Sequence, residues 1–175
     1  EWEKSGNLLN SNGENDLDVK LTGLNRKPKM YHGELAEIDP KELPKDMIIN
    51  RKKNFMSLEE QSKCKYILNI DGHVKAFRLS NELRMGSVIL LVDSPYQLWF
   101  QKYLKPDTHF IPIKNDLSDL KEKLEWCMKN DKKCETIAKN SLKFYNTYLS
   151  PDATFKYFYK TLNNLASLRR KPIQI

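Results

Sequence analysis

Between Asn69 and Leu91 the sequence reads NIDGHVKAFRLSNELRMGSVILL, and its residues with chemical potential are Asp71, Gly72, Arg78 and Glu82. A half-apolar run ends at Asp71-Gly72, a short helical pattern carries Arg78 and Glu82, and Gly86 opens a more apolar run. A helix N-terminus offers unpaired amides and the positive end of a dipole, which suits a phosphate or diphosphate. Arg78 in the first turn would add a fork of donors. Glu82, one turn further on, is a poor phosphate ligand but a good acceptor for a sugar or ribose hydroxyl. The spacing also has a plainer reading: Arg78 and Glu82, four apart, form an ordinary surface ion pair worth at most about 0.5 kcal/mol, and Asp-Gly is a common turn. By position Asp71 could be a base, but it is better suited to fix the loop by accepting its amides. Neither GxGxxG nor a Walker sequence is present, so dinucleotide dehydrogenases and P-loop NTPases are not supported.

The elements that would position these residues are legible from Ser57 onward. Ser57-Leu58-Glu59-Glu60 fits a capping box and a short helix to about Lys63. KYILNI then predicts a strand, FRLSNELRM a short helix, SVILLV a buried strand, SPYQLWFQKYL a helix with Trp99 and Tyr103 four apart, and THFIPI another strand. Strands alternating with helices point to parallel strands joined by crossovers, an α/β fold with a doubly wound, Rossmann-like sheet. The last third reads as helical. Asp116 or Ser118 can cap a helix bearing Leu117, Leu120, Leu124 and Cys127; a second runs from about Lys132 to Tyr148, with Ile137, Ala138, Leu142 and Tyr145 on one stripe. Pro151 or Asp152 opens a third, whose Phe155, Phe158, Tyr159, Leu162 and Leu165 are expected in the core. Upstream, residues 1–16 read as a flexible segment, LDVKLTGL as a half-buried strand, and 25–54 as an irregular connection.

Composition narrows the partners. The net charge is +7 and the pI about 9.2, which suggests an anionic ligand. Lysines are interspersed with acids, and the clusters Arg51-Lys52-Lys53 and Arg169-Arg170-Lys171 lack interleaved aromatics, so a nucleic-acid-binding domain ranks last. No apolar run approaches the ~18 residues of a spanning helix, and the residues after Glu1 do not read as a signal peptide. Cys64, Cys127 and Cys134 match neither a redox nor a zinc spacing; as idle thiols they lean toward a reducing compartment.

Several blocks in order resemble the C-terminal part of glycosyltransferase family ninety, which includes protein O-glucosyltransferases and capsule and lipopolysaccharide sugar transferases. They are KYILNIDG, FR, MGSVIL, the tryptophan of YQLWF, LKPDTHFIPIKNDLSDLKEKLEWC and KNDKKCETIAKNSLKFY; DVKLTG, Asp18 to Gly23, extends the likeness upstream. The resemblance implies the C-terminal lobe of a GT-B enzyme, with residues 17–168 forming a nucleotide-sugar-binding lobe and 169–175 a basic tail. It implies that Gly72, His73, Val74, Lys75, Ala76, Phe77 and Arg78 line the donor diphosphate; Glu82, as an acceptor for a sugar or ribose hydroxyl, completes the expected donor-binding set. The donor would be a UDP-sugar, carrying glucose or xylose, and the acceptor a protein or glycan hydroxyl. No metal or other cofactor is expected, because amides and Arg78 would take the metal's role. An inverting reaction needs a carboxylate base, which the family keeps in its N-terminal half, and no stretch here matches it. Relatives in animals work in the secretory pathway. Two departures stand out: Ala76 replaces a usual serine, removing one hydroxyl contact, and the usual His-Tyr is His109-Phe110, where the histidine is expected to pack at a strand. A non-catalytic interaction module of the same fold is the alternative.

Overall fold

The computed structural model describes residues 56–72 and 75–168, and the backbone of 29–31, 34–36 and 169. The chain divides into two compact units, one reaching Cys64 and the other starting at Lys65.

In the first unit, strands β1 (Lys29–Tyr31) and β2 (Glu34–Ala36) form an antiparallel pair, with Met30 opposite Leu35. They lie inside the stretch expected to be irregular. Three-residue strands are too short for an alternating pattern to register. The capping box is present at helix α1 (Leu58–Gln61): the Ser57 hydroxyl accepts from the Glu60 amide at 3.2 Å, and the Glu60 carboxylate accepts from the Ser57 amide at 2.7 Å. The expected strand at 17–24 falls outside the described residues.

The second unit is α/β, with a parallel three-stranded sheet and C-terminal helices. Its order is β3 (Tyr66–Asn69), β4 (Val88–Val92) and β5 (Ile111–Ile113), with Ile67 beside Ile89 and Leu90 beside Ile111. Every residue of β4 is buried, as expected of a central parallel strand covered on both faces. Pro112 fits β5 because that strand lies at the end of the described sheet, where a missing amide costs no ladder bond. Ile89 and Leu91 pack with Leu79, Leu83, Phe100, Leu104 and Phe144 in one apolar cluster. Gly86, with φ 68°, turns the chain into β4 in a conformation that favours glycine.

Helix α2 (Leu79–Glu82) is a single turn, and α3 (Leu120–Lys129) and α4 (Asp131–Phe144) bury Leu120, Leu124, Cys127, Cys134, Ile137 and Ala138. A π-helical turn, Tyr145–Leu149, leads into α5 (Pro151–Arg169).

Three expectations are corrected. SPYQLWFQKYL is not a helix: only a 3₁₀ turn, Gln101–Tyr103, forms. Local side chains capture the amides a helix would need, Asp93 taking that of Ser94, Ser94 that of Tyr96 and Gln101 that of Leu98. The helix expected from Asp116 or Ser118 starts later, at Leu120. Asp116 instead accepts the Ser118 amide, Asp119 accepts that of Lys114, and Leu117 takes a left-handed φ of 60°. Finally, Phe155, Phe158, Tyr159, Leu162 and Leu165 are not core: each is more than half exposed. Their periodicity marks an apolar stripe correctly, but nothing in the described second unit covers it.

Candidate functional site at the carboxyl end of β3

Strand β3 ends in Asn69, a fully buried amide in an otherwise apolar position. Its Nδ2 donates to Glu82 Oε2 at 2.6 Å, so the strand end and α2 are joined by a buried polar contact. Glu82 is itself fully buried, and its Oε1 lies 3.0 Å from Arg78 Nε. That contact is an ion pair without hydrogen-bond alignment. Arg78, whose side chain is 45% exposed, also donates from Nη2 to the Ile70 carbonyl at 2.8 Å. The guanidinium is therefore tied at two points while part of its five-donor fork remains uncommitted. The pair expected at the surface forms, but with one partner in the interior.

The loop between β3 and α2 is held in the same way. Asp71 Oδ1 accepts the Ala76 amide at 3.0 Å and lies 3.4 Å from Lys75 Nζ. Asp71 thus fixes the loop, and Lys75 is buried beside it at 4% exposure. Phe77, next to Arg78, is 73% exposed. A Cβ added at Gly72 would meet no atom within 4 Å, so packing does not demand glycine there. His73 and Val74 lie outside the described residues.

Among the described residues, the buried side-chain polar atoms without a hydrogen-bond partner are Asn69 Oδ1, Asp71 Oδ2, Lys75 Nζ and Glu82 Oε1, all at this corner. Each such atom costs roughly 1–3 kcal/mol unless something completes it. Burial raises the Glu82 carboxyl above its usual range, against the lowering effects of the Asn69 hydrogen bond and Arg78. Because α2 has only four residues, its dipole is small.

Of the expected site residues, the structure brings Lys75 and Ala76 onto Asp71 and pairs Arg78 with Glu82 beside the end of β3, with Glu82 in a buried anchoring position. Asn69 is the residue that sequence reasoning missed; its signal was a polar amide closing an apolar strand. Trp99 stacks on Tyr157 at 5.3 Å and 19° between ring planes, and Trp126 lies in α3. His109 packs against Phe144 with centroids 5.2 Å apart, its Nδ1 accepting the Lys105 amide at 2.9 Å. Burial, aided by Lys105, lowers its pKa, which favours the neutral ring.

The family model described as glycosyl transferase family 90 matches residues 7–175. Uncharacterized protein 179R of Invertebrate iridescent virus 6 is 52% identical over 114 residues, covering 61% of this chain and 10% of its own length. Protein O-glucosyltransferase 2 of Danio rerio is 39% identical over 107 residues, 61% of this chain and 21% of its own length. Protein O-glucosyltransferase 1 of Rattus norvegicus is 29% identical over 164 residues, 92% of this chain and 42% of its own length. The matched stretch thus spans about a tenth of the viral relative and a fifth to two fifths of the two transferases.

Proposed function

The chain belongs to glycosyl transferase family 90, and we propose that it is the donor-binding, C-terminal lobe of a GT-B enzyme that moves glucose or xylose from a UDP-sugar to a protein or glycan hydroxyl. The lobe is taken as residues 17–168. Supporting this reading is one observation above the rest: Arg78 stands at the carboxyl end of a parallel strand, tied to Ile70 and Glu82 yet 45% exposed. In open α/β sheets ligands gather at that edge.

On this reading Gly72 to Arg78 follow the donor diphosphate. Arg78 contributes a fixed cation to the charge that develops on the leaving nucleotide, and Lys75, if drawn off Asp71, contributes a second. The reaction proceeds with inversion: a carboxylate base takes the acceptor's proton while the acceptor oxygen attacks the anomeric carbon opposite the departing UDP. That base is assigned to polypeptide other than this chain. No metal takes part in this scheme. Glu82 positions Arg78 in place of the sugar-hydroxyl contact expected from spacing.

The test is calorimetric titration with UDP, UDP-glucose, UDP-xylose and ADP without added metal. Saturable binding that prefers UDP over ADP is expected, and it should weaken in Arg78→Lys, which keeps the charge but loses the fork. Equal affinity for UDP and ADP, or binding to nucleic acid that falls steeply with salt and ignores UDP, would overturn it.

A further inference from the structure

Glu82 is a carboxylate with no exposed surface, and two groups hold it: the Asn69 amide donates to Oε2 at 2.6 Å, and Arg78 Nε lies 3.0 Å from Oε1. Oε1 accepts no hydrogen bond, so charge there is offset by the nearness of the guanidinium. The other charges at this corner are Asp71 and Lys75 on the loop, set against each other at 3.4 Å. The apolar cluster of Leu79, Leu83, β4 and the side chains packed with them, Phe100, Leu104 and Phe144, adds none. Burial opposes ionisation of Glu82, while Asn69 and Arg78 support it. The carboxylate therefore stays ionised with the help of a cation that is itself 45% exposed and open to an anion.

We infer that Glu82 takes up a proton from solvent when a diphosphate engages Arg78, so that donor binding is proton-linked. The inference rests on the donor-site reading above and adds a regulation to it. A diphosphate brings negative charge to the guanidinium that offsets Glu82, and a buried carboxylate beside like charge favours its neutral form. The proton adds to a carboxylate oxygen, and no other bond changes. Arg78 then meets the ligand with its full positive charge, no longer as half of a neutral pair. Linkage fixes the sign: the bound form holds more protons, so affinity rises as pH falls, by at most about tenfold per pH unit for a single proton. By reciprocity, the bound diphosphate moves the titration of Glu82 to higher pH.

Calorimetric titration of the full chain with UDP-glucose, in buffers of differing ionisation enthalpy and at several pH values around neutrality, counts the protons. UDP-glucose is the probe because its diphosphate is esterified at both ends and has no proton of its own to exchange there. Net uptake of up to about one proton is expected, with affinity rising as pH falls, and both effects should vanish in Glu82→Gln. Binding without uptake, or uptake that Glu82→Gln retains, would overturn the inference and leave the donor site standing. Failure to bind UDP-glucose would overturn the donor-site reading and the inference with it. Carboxyl carbon NMR of the labelled chain reads the same linkage without ligand, the Glu82 signal being the one absent from Glu82→Gln. Arg78→Met should move that titration to higher pH and Arg78→Lys, which keeps the charge, should move it less. A Glu82 titration that Arg78→Met leaves in place would overturn the inference.

Discussion

The corner between β3 and α2 and the long helix α5 are opposites. At the corner a carboxylate and an amide with no exposed surface sit where spacing alone suggests a solvated face. On α5 three aromatic rings and two leucines sit in solvent where spacing suggests a core. The contrast teaches that periodicity identifies which residues share a face but not what lies against it. Both inversions also mark candidate function. Buried polar groups lacking partners and exposed apolar seams each cost free energy in the isolated unit, and a ligand or partner would recover it.

The largest expected effect comes from cutting the polar contact at the corner. Asn69→Ala removes the donor to Glu82 Oε2, leaving a buried carboxylate short of its hydrogen bond. Urea denaturation should show a loss of roughly 2–3 kcal/mol. A change below about 0.5 kcal/mol would mean the corner is as solvated as a surface helix. Next is Arg78→Lys, which should weaken UDP binding about tenfold, roughly 1.4 kcal/mol, while changing the unfolding midpoint little.

The pH dependence sharpens the contrast further. The folded-state pKa of Glu82 is raised by burial, so the native protein holds its proton more tightly than the unfolded chain does. Stability should therefore rise at this site as pH falls from above the folded pKa toward the ordinary carboxyl value of 4.5, and decline again with alkalinity. Denaturation curves of the wild type and Glu82→Gln across that window should diverge in this sense; parallel curves would show that Glu82 titrates normally. The smallest effects are two silent substitutions. Phe158→Ser, measured under dilute conditions, should alter stability by no more than about 0.5 kcal/mol, because its ring is already in water. Gly72→Ala should likewise leave stability within about 0.5 kcal/mol, since its new methyl meets nothing. If the diphosphate approaches that backbone, the same methyl should weaken UDP binding, and an unchanged affinity would remove Gly72 from the site.

Much of the described chain was legible because its signals are local or densely apolar. The capping box at Ser57, the buried run Val88–Val92 and the stripe on α4 each require only their own residues to be recognised. The stretch SPYQLWFQKYL has the apolar spacing of a helix, but that spacing carries no sign of the competing capture of amides by Asp93, Ser94 and Gln101. The antiparallel pairing of Lys29–Tyr31 with Glu34–Ala36 was not legible because strands that short carry no period. At the candidate site the loop-fixing role of Asp71 and the pairing of Arg78 with Glu82 could be read from position and spacing. The burial of Glu82 could not, since it depends on Asn69, thirteen residues away on a neighbouring strand.

The most direct test of the central claim is titration of this chain with UDP, run beside Arg78→Lys at the same moderate salt. The account predicts saturable, metal-free UDP binding that is preferred over ADP and weakens about tenfold in the variant, roughly 1.4 kcal/mol. Absence of UDP binding by the wild type, or identical affinities for the two proteins, would contradict it.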